Sequence, residues 1–237
     1  MNPRDAIKKD DALWSWYFCG QVANLFARVS VKTKLTPNFY STLSFLCGIT
    51  AAIFFFFGNV YGNLIYAIIF LNFALIFDCT DGQLARLKGM TSKFGAWYDY
   101  HSDKIKDGII LLSIAFGIYF ATHDYLVFII AFATIFFQFL RNITRLNRVN
   151  FQLETKGEVQ DKKAVADEKV KSQFMRSFRN SLMFKEADRY LLFTVFALLN
   201  QLYIGLVLYM LIELFFAASS GYINYKEFAK YDREHKS

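Results

Sequence analysis

Four aspartates lie at the ends of two long apolar stretches of this 237-residue chain. They are Asp78, Asp81, Asp99 and Asp103. A carboxylate is costly next to the hydrocarbon of a membrane, so a group of four there indicates chemistry or metal binding. Carboxylate oxygens are hard ligands that suit Mg²⁺, Mn²⁺ or Ca²⁺ better than zinc. Without cations the four charges would repel one another strongly.

The spacing of these aspartates places them on single stripes of two successive helices, because helical residues three or four positions apart share a face. The first stripe consists of Asp78, Asp81, Gly82, Ala85 and Arg86. The second stripe consists of Gly95, Asp99 and Asp103. Since two acidic faces can meet, we predict a cation site shared between the two helices.

The composition of the chain is that of a membrane protein. Hydrophobic residues make up 55% and aromatic residues 19%, including 28 Phe, which exceeds the usual content of a soluble domain. Six apolar runs, 10 to 28 residues long, are candidates for helical spans, each of which needs roughly 20 residues. They cover residues 38–57, 64–77, 94–121, 125–140, 190–199 and 202–218. We therefore predict an all-α integral membrane protein with a six-transmembrane-helix bundle.

The distribution of Lys and Arg predicts how the bundle is oriented. The connections 58–62, 122–124 and 200–201 contain neither residue, whereas the N-terminal region, the turn after Asp81 and the segment 141–189 are rich in both. By the positive-inside rule, both termini and the carboxylate site face the cytoplasm, across the plasma membrane if the source is a bacterium. Anionic lipid headgroups then explain the net charge of +7 more simply than nucleic acid does.

Three regions are expected along the chain. Residues 1–36 form a cytoplasmic segment, in which apolar residues from Leu13 to Val29 recur at helical spacing. This pattern predicts an interfacial amphipathic helix, with a soluble helix packed on the bundle as the alternative. Residues 37–224 form the transmembrane catalytic domain, including a polar cytoplasmic loop at about 149–175, and residues 225–237 form a cytoplasmic tail.

Together the two stripes match the pattern D-x2-D-G-x2-A-R-x8-G-x3-D-x3-D, which fixes eight positions within 26 residues. In this motif the chain resembles the CDP-alcohol phosphotransferases, also called CDP-alcohol phosphatidyltransferases. Residues 34–51 also resemble the first span of that family. The resemblance implies a membrane bundle, generally a homodimer, that transfers the phospho-alcohol portion of a CDP-alcohol to an acceptor hydroxyl and releases CMP.

The same resemblance implies roles for the motif residues. Asp78, Asp81 and Asp99 would be metal ligands, and Asp103 would be the general base as well as a metal ligand. The implied contacts to the nucleotide and its phosphates are Gly82, Ala85, Arg86 and Gly95. The chemistry agrees, because a diphosphate in an acidic site needs cations, here two Mg²⁺ or Mn²⁺ ions. Gly82 and Gly95 could instead be positions of close helix packing.

A second group of candidate residues is basic and follows the motif. Arg141 and Arg145 lie on one ridge at the end of the fourth apolar run, and Lys185 and Arg189 precede the fifth. These charges are explained either as positive-inside flanks or as a binding site for phosphate on the donor or acceptor. The second explanation favours a phosphorylated acceptor, an inositol phosphate or similar polyol phosphate, and CDP-diacylglycerol is the expected donor. A soluble CDP-alcohol donor with the same chemistry is the alternative.

A divalent-cation transporter is the competing function from another class, because acidic residues within a bundle could conduct Mg²⁺. Conduction would need carboxylates along a route through the bilayer, whereas the four aspartates lie near one face. The Gly, Ala and Arg positions of the motif also favour the enzyme. The expected partners are therefore a CDP-alcohol donor, a hydroxyl acceptor, membrane lipids and a second copy of the chain, without nucleic acid.

Overall fold

A computed structural model of the chain describes residues 19–156 and 184–234. Within these ranges the chain forms helices and no strand, which confirms the all-α prediction. The helices are α1 (Gly20–Val31), α2 (Pro37–Phe56), α3 (Tyr61–Lys88), α4 (Lys93–Thr122), α5 (Leu126–Lys156), α6 (Glu186–Leu198) and α7 (Leu202–Glu234).

Five of the described helices, α2, α3, α4, α5 and α7, are long and apolar enough to cross a membrane. The chain is therefore an integral membrane protein. Helix α6 contains only 13 residues, fewer than the roughly 20 that a span needs. The sixth predicted span is thus not confirmed in the described part of the chain, and residues 157–183 before α6 lie outside it.

Local sequence signals set the ends of the two helices that carry the motif. Helix α3 ends at Lys88 and is followed by Gly89, whose φ of 65° is left-handed and favours glycine because no Cβ is present. Helix α4 begins after Ser92, whose side chain accepts a hydrogen bond of 2.9 Å from the backbone N–H of Gly95. So short a connection places the end of α3 beside the start of α4, and these are the two segments that contain the aspartates.

The described residues 19–131 and 184–206 form one compact unit. In this unit α2 packs against α3 and α4, while α1 and α6 pack against α3. Gly117 allows α4 to approach α2 closely, because a Cβ at this position would overlap the backbone oxygen of Phe55. Helix α2 therefore lies directly beside both helices of the motif.

Helix α1 turns a face of small residues towards α3. Its buried residues are Gly20, Ala23, Asn24, Ala27 and Ser30. Asn24 donates a hydrogen bond of 2.9 Å to Gln83 of α3, and Gln83 donates one of 3.0 Å to the carbonyl of Gly20. Leu25 and Val29 are 65% and 64% exposed, so the apolar side of α1 points away from this packing. The first part of the predicted interfacial helix, residues 13–18, lies outside the described residues.

The three cysteines, Cys19, Cys47 and Cys79, lie among the described residues, and none of them forms a disulfide there. Cys19 at the start of α1 is fully buried, and this burial raises the pKa of its thiol to about 12. Cys19 is therefore a packing residue rather than a reactive thiol.

A second compact unit contains the described residues 132–156 and 207–234, which are most of α5 and α7. Polar contacts join the two helices along their length. They are Gln138 to Tyr209, Arg141 to Glu213, Asn224 to the carbonyl of Thr144, Arg148 to Glu227, and Gln152 to Glu227. Residues 149–156 of the predicted loop are helical, as are residues 225–234 of the predicted tail, while residues 157–175 lie outside the described ranges.

Candidate active site

Helices α3 and α4 bring three of the four predicted aspartates together. One carboxylate oxygen from each of Asp78, Asp99 and Asp103 lies within 4.8 Å of the others. Bonds from a hard cation to oxygen are about 2.0–2.6 Å long, so oxygens at this separation can share one ion. The three side chains are only partly buried, which leaves this group open to a ligand from solution.

The fourth aspartate, Asp81, contacts a residue of α2. It is not part of the group of three, although it follows Asp78 by one turn of α3. Its carboxylate is buried and accepts a hydrogen bond of 2.6 Å from the hydroxyl of Ser41 on α2. Ser41 therefore helps to orient an aspartate of the motif, a role that the sequence pattern did not indicate.

The motif glycines Gly82 and Gly95 leave space for neighbouring side chains. A Cβ at Gly82 would lie 3.4 Å from a terminal nitrogen of Arg86 and contact no other residue, so the guanidinium lies over Gly82. A Cβ at Gly95 would lie 3.0 Å from the Ser92 hydroxyl and 3.2 Å from the side-chain oxygen of Asn38. Gly82 thus gives access to the helix surface rather than close contact with another helix, while Gly95 lies near α2. Ala85 is half-buried on the same stripe.

The sequence analysis missed Lys106, a lysine without solvent exposure one turn beyond Asp103 on α4. Its ammonium nitrogen lies 2.8 Å from Oδ1 of Asp103, 3.0 Å from the Ser44 hydroxyl and 3.4 Å from Oε1 of Glu186. A signal was present, because a charged residue within an apolar run, here 94–121, marks a candidate functional position.

Two of the predicted acceptor residues, Lys185 and Arg189, lie at the start of α6. The backbone N–H of Lys185 donates 2.9 Å to the side chain of Asp188, which caps this helix. Arg189 is 8% exposed, and its guanidinium lies 2.5 Å from Asp107 of α4 and 3.7 Å from Glu186. The structure therefore places Arg189 in the same network of charges as Lys106.

The other two predicted acceptor residues, Arg141 and Arg145, belong to the second unit. Arg141 lies 3.2 Å from Glu213, whose side chain is buried in α7. Arg145 is exposed. Glu213 falls within the apolar run 202–218 and was not singled out from the sequence.

Carboxylates are concentrated at one point of the motif region. Those of Asp78, Asp99 and Asp103 converge within 4.8 Å, and Glu186 lies with Asp103 around the ammonium of Lys106. Such a group of hard oxygen ligands suits Mg²⁺ or Mn²⁺. Such a cation, when bound, supplies positive charge for a phosphate-bearing substrate.

Comparison with known proteins identifies the family. The CDP-alcohol phosphatidyltransferase family profile matches residues 34–218, more than three quarters of the chain. The phosphatidylinositol phosphate synthase of Corynebacterium glutamicum is 32% identical over 95 residues, which are 40% of this chain and 42% of that protein. The archaetidylinositol phosphate synthase of Pyrococcus horikoshii is 37% identical over 83 residues, 35% of this chain and 42% of that protein. These matches span less than half the length of either relative.

A solved structure shares the fold. The crystal structure of Mycobacterium tuberculosis phosphatidylinositol phosphate synthase with CDP-DAG bound has a TM-score of 0.59 to this chain, at 17% identity. The likeness covers 86% of this chain and 94% of that one. With the profile match across most of the sequence and the aspartate motif on adjoining helices, the chain belongs to the CDP-alcohol phosphatidyltransferase family.

Proposed function

We propose that this protein is a metal-dependent transferase that moves a phosphatidyl group from CDP-diacylglycerol to a hydroxyl of an inositol phosphate or similar polyol phosphate, releasing CMP. The observation that carries the proposal is the convergence of Asp78, Asp99 and Asp103 within 4.8 Å in a chain of this family. The names of the Corynebacterium and Pyrococcus relatives support an inositol phosphate as acceptor.

In this proposal the four motif aspartates would hold two Mg²⁺ or Mn²⁺ ions. Asp78 of α3 and Asp99 of α4 would supply oxygens, and Asp81, oriented by Ser41, would supply a further one. The cations, when present, offset the charge of the diphosphate, which the aspartates alone would repel.

The donor lies along the motif stripe of α3. Because Gly82 carries no side chain, the nucleotide can approach the backbone there, and Ala85 adds little bulk one turn further on. The Arg86 guanidinium, already over Gly82, pairs with a phosphate of the donor. Gly95 leaves space at the start of α4 for the same ligand.

Asp103 takes the proton of the acceptor hydroxyl. The hydroxyl oxygen then forms a bond to the phosphorus that carries the diacylglycerol, and the bond from that phosphorus to the CMP oxygen breaks. CMP leaves with the electron pair, and the proton stays on Asp103 until it passes to water. Asp103 suits this role because it is partly exposed and lies beside the Asp78 and Asp99 oxygens.

The acceptor phosphate binds basic residues at the start of α6. Arg189 is the main candidate, with Lys185 beside it, because Arg189 carries a forked guanidinium within the charge network of the site. Binding requires Arg189 to give up or share its contact with Asp107. Arg141 and Arg145 stay candidates on the basis of the sequence alone.

We further infer a six-span topology in the plasma membrane, in which the apolar run 190–199, most of which lies in α6, forms the additional span. Both termini and the aspartate site then face the cytoplasm, since Lys and Arg are concentrated on that side. The exposed Leu25 and Val29 of α1 contact the lipid interface, and two copies of the chain form a homodimer.

The first prediction concerns the reaction. Purified protein supplied with Mg²⁺, CDP-diacylglycerol and an inositol phosphate is expected to release CMP, and exhaustive chelation is expected to abolish release until Mg²⁺ or Mn²⁺ is restored. The Asp78→Asn variant is the matched control for activity from contaminating enzymes. Full activity after metal removal would contradict the proposal, and activity only with a soluble CDP-alcohol would show the alternative donor to be correct.

The second prediction concerns the general base. Asp103→Asn keeps the size of the side chain but removes the proton acceptor, so kcat is expected to fall on the order of 10²–10⁴-fold. Binding of CDP-alcohol should survive better than in Asp78→Asn. Kinetics are measured across a Mg²⁺ titration, because a lost metal ligand could imitate a lost base. Near-native kcat at saturating Mg²⁺ would refute the assignment.

The third prediction concerns acceptor recognition by Arg189. Removing Arg189 alone would leave Asp107 buried and unpaired, so the variant of choice is Arg189→Gln with Asp107→Asn. We expect the acceptor KM to rise on the order of 10-fold or more while donor binding is unchanged, since a hydrogen bond to a charged group contributes about 1.5–3 kcal/mol. The control is Asp107→Asn alone, which retains Arg189. An unchanged acceptor KM in the double variant would make Arg189 a structural residue.

The fourth prediction concerns topology. In a cysteine-free background, Asn59→Cys reports on the connection between α2 and α3, and Ser237→Cys reports on the C-terminus. A membrane-impermeant thiol reagent applied to intact cells should label position 59 and spare position 237 until the membrane is permeabilised. Labelling of both positions in intact cells would overturn the six-span topology.

A further inference from the structure

Lys106 is the only lysine without solvent exposure among the described residues. A buried ammonium is costly unless charged or polar partners surround it. Here each partner comes from a different helix: Asp103 from α4 itself, Ser44 from α2 and Glu186 from α6. The ammonium is therefore held from three directions next to the aspartate that serves as base in the proposed reaction.

The path of the Lys106 side chain is shaped by a glycine on the neighbouring helix. A Cβ at Gly48 of α2 would overlap both Cγ and Cδ of Lys106. The aliphatic stem thus crosses α2 where no side chain stands, and the ammonium reaches Ser44, one turn before Gly48. Lysines in membrane proteins usually extend towards water, so a lysine held inward in this manner indicates a functional role.

The contact with Lys106 gives the two oxygens of the Asp103 carboxylate different partners. Oδ1 accepts a hydrogen bond of 2.8 Å from the Lys106 ammonium. With this oxygen held, rotation of the carboxylate is restricted, and Oδ2 is left for another partner. A general base needs this kind of fixed orientation, because small displacements of a reacting group lower the rate steeply.

We propose that Lys106 is a positioning residue for Asp103, which it orients towards the acceptor hydroxyl while its charge limits how tightly the aspartate cluster holds a divalent cation. This inference rests on the proposed function and extends it to a residue outside the motif. Lys106 acts through Asp103 and does not itself contact the substrate.

The two parts of this role give effects of opposite sign when the charge is removed. Without the ammonium, the carboxylates of Asp78, Asp99 and Asp103 lose a positive neighbour, so a divalent cation binds more tightly. Asp103 also loses its orientation, so turnover becomes slower. A lysine with a purely structural role would give another pattern, since a loosened site would bind metal more weakly as well as react more slowly.

The test is the Lys106→Met variant, which keeps most of the stem beside Gly48 and removes the charge. Mn²⁺ binding to purified protein without substrate is measured by electron paramagnetic resonance, and kcat is measured by CMP release at saturating metal. We expect Mn²⁺ affinity to increase on the order of 10-fold and kcat to fall on the order of 10²-fold. Weaker Mn²⁺ binding, or unchanged kcat, would overturn the inference.

Two further variants keep the test decisive if Lys106→Met folds poorly. Lys106→Met combined with Glu186→Gln removes both charges of a partly buried ion pair and should show the same slower turnover. Gly48→Ala displaces the lysine stem without changing any charge, and its matched control is Gly108→Ala on α4, where a Cβ would meet nothing within 4 Å. We expect kcat to fall in Gly48→Ala and not in Gly108→Ala, and equal kcat in the two would count against the role of Lys106.

Failure of this inference is distinguishable from failure of the proposed function. If the wild-type protein releases no CMP from any CDP-alcohol, the proposed function is wrong, and the role of Lys106 is overturned with it. If the wild-type protein is active and Lys106→Met has an unchanged kcat or binds Mn²⁺ more weakly, only the inference about Lys106 is wrong.

Discussion

Repulsion among carboxylates at the junction of α3 and α4 is the constraint on which the rest of this structure depends. At 4.8 Å, the separation that bounds the Asp78, Asp99 and Asp103 oxygens, two negative charges repel by about 3 kcal/mol at an effective dielectric constant of about 20. The four-residue connection between the helices and the packing of α2 against both hold the carboxylates there nonetheless. Lys106 offsets one of these charges, and the proposed divalent cations would offset the remainder.

The packing around the site stabilises this arrangement of charges. Helix α2 contributes hydroxyls rather than charges: Ser41 donates to Asp81, and Ser44 accepts from Lys106. Two glycines allow the necessary proximity, since Gly48 leaves room for the lysine stem and Gly117 allows α4 to approach α2. Helix α6 adds Glu186 and Arg189, which continue the alternation of charges from Asp103 through Lys106 to Asp107. A site built from side chains on packed helices holds its geometry more closely than one built on loops.

The sequence predicted the part of this site that depends on helical periodicity. Residues three and four apart share a face, so the two aspartate stripes followed from spacing alone, and the prediction of a shared cation site followed from their acidic faces. Lys106 was missed because it is one of five charged residues in the run 94–121, and the sequence does not show which of them is buried. Its partner Glu186 lies 80 positions further along the chain, and no local pattern encodes a contact over that separation.

The sixth predicted span was not confirmed for a similar reason. Long apolar runs gave five helices able to cross a membrane, whereas the run 190–199 corresponds to α6, which is 13 residues long and begins with Glu186. Hydropathy reports on composition and not on where a short helix packs. The basic residues illustrate a related limit, because the sequence shows the charge of Arg141 and Arg189 but not the carboxylates, Glu213 and Asp107, that pair with them.

The most direct measurement of the central claim is anomalous X-ray diffraction from crystals of the wild-type protein grown with Mn²⁺ and CDP-diacylglycerol. Anomalous scattering locates manganese independently of the protein coordinates. The proposed site predicts manganese peaks within about 2.0–2.6 Å of oxygens of Asp78 and Asp99, the range of bonds from hard cations to oxygen. A donor diphosphate bound with no manganese at these carboxylates would contradict the claim that the aspartate cluster is a metal site.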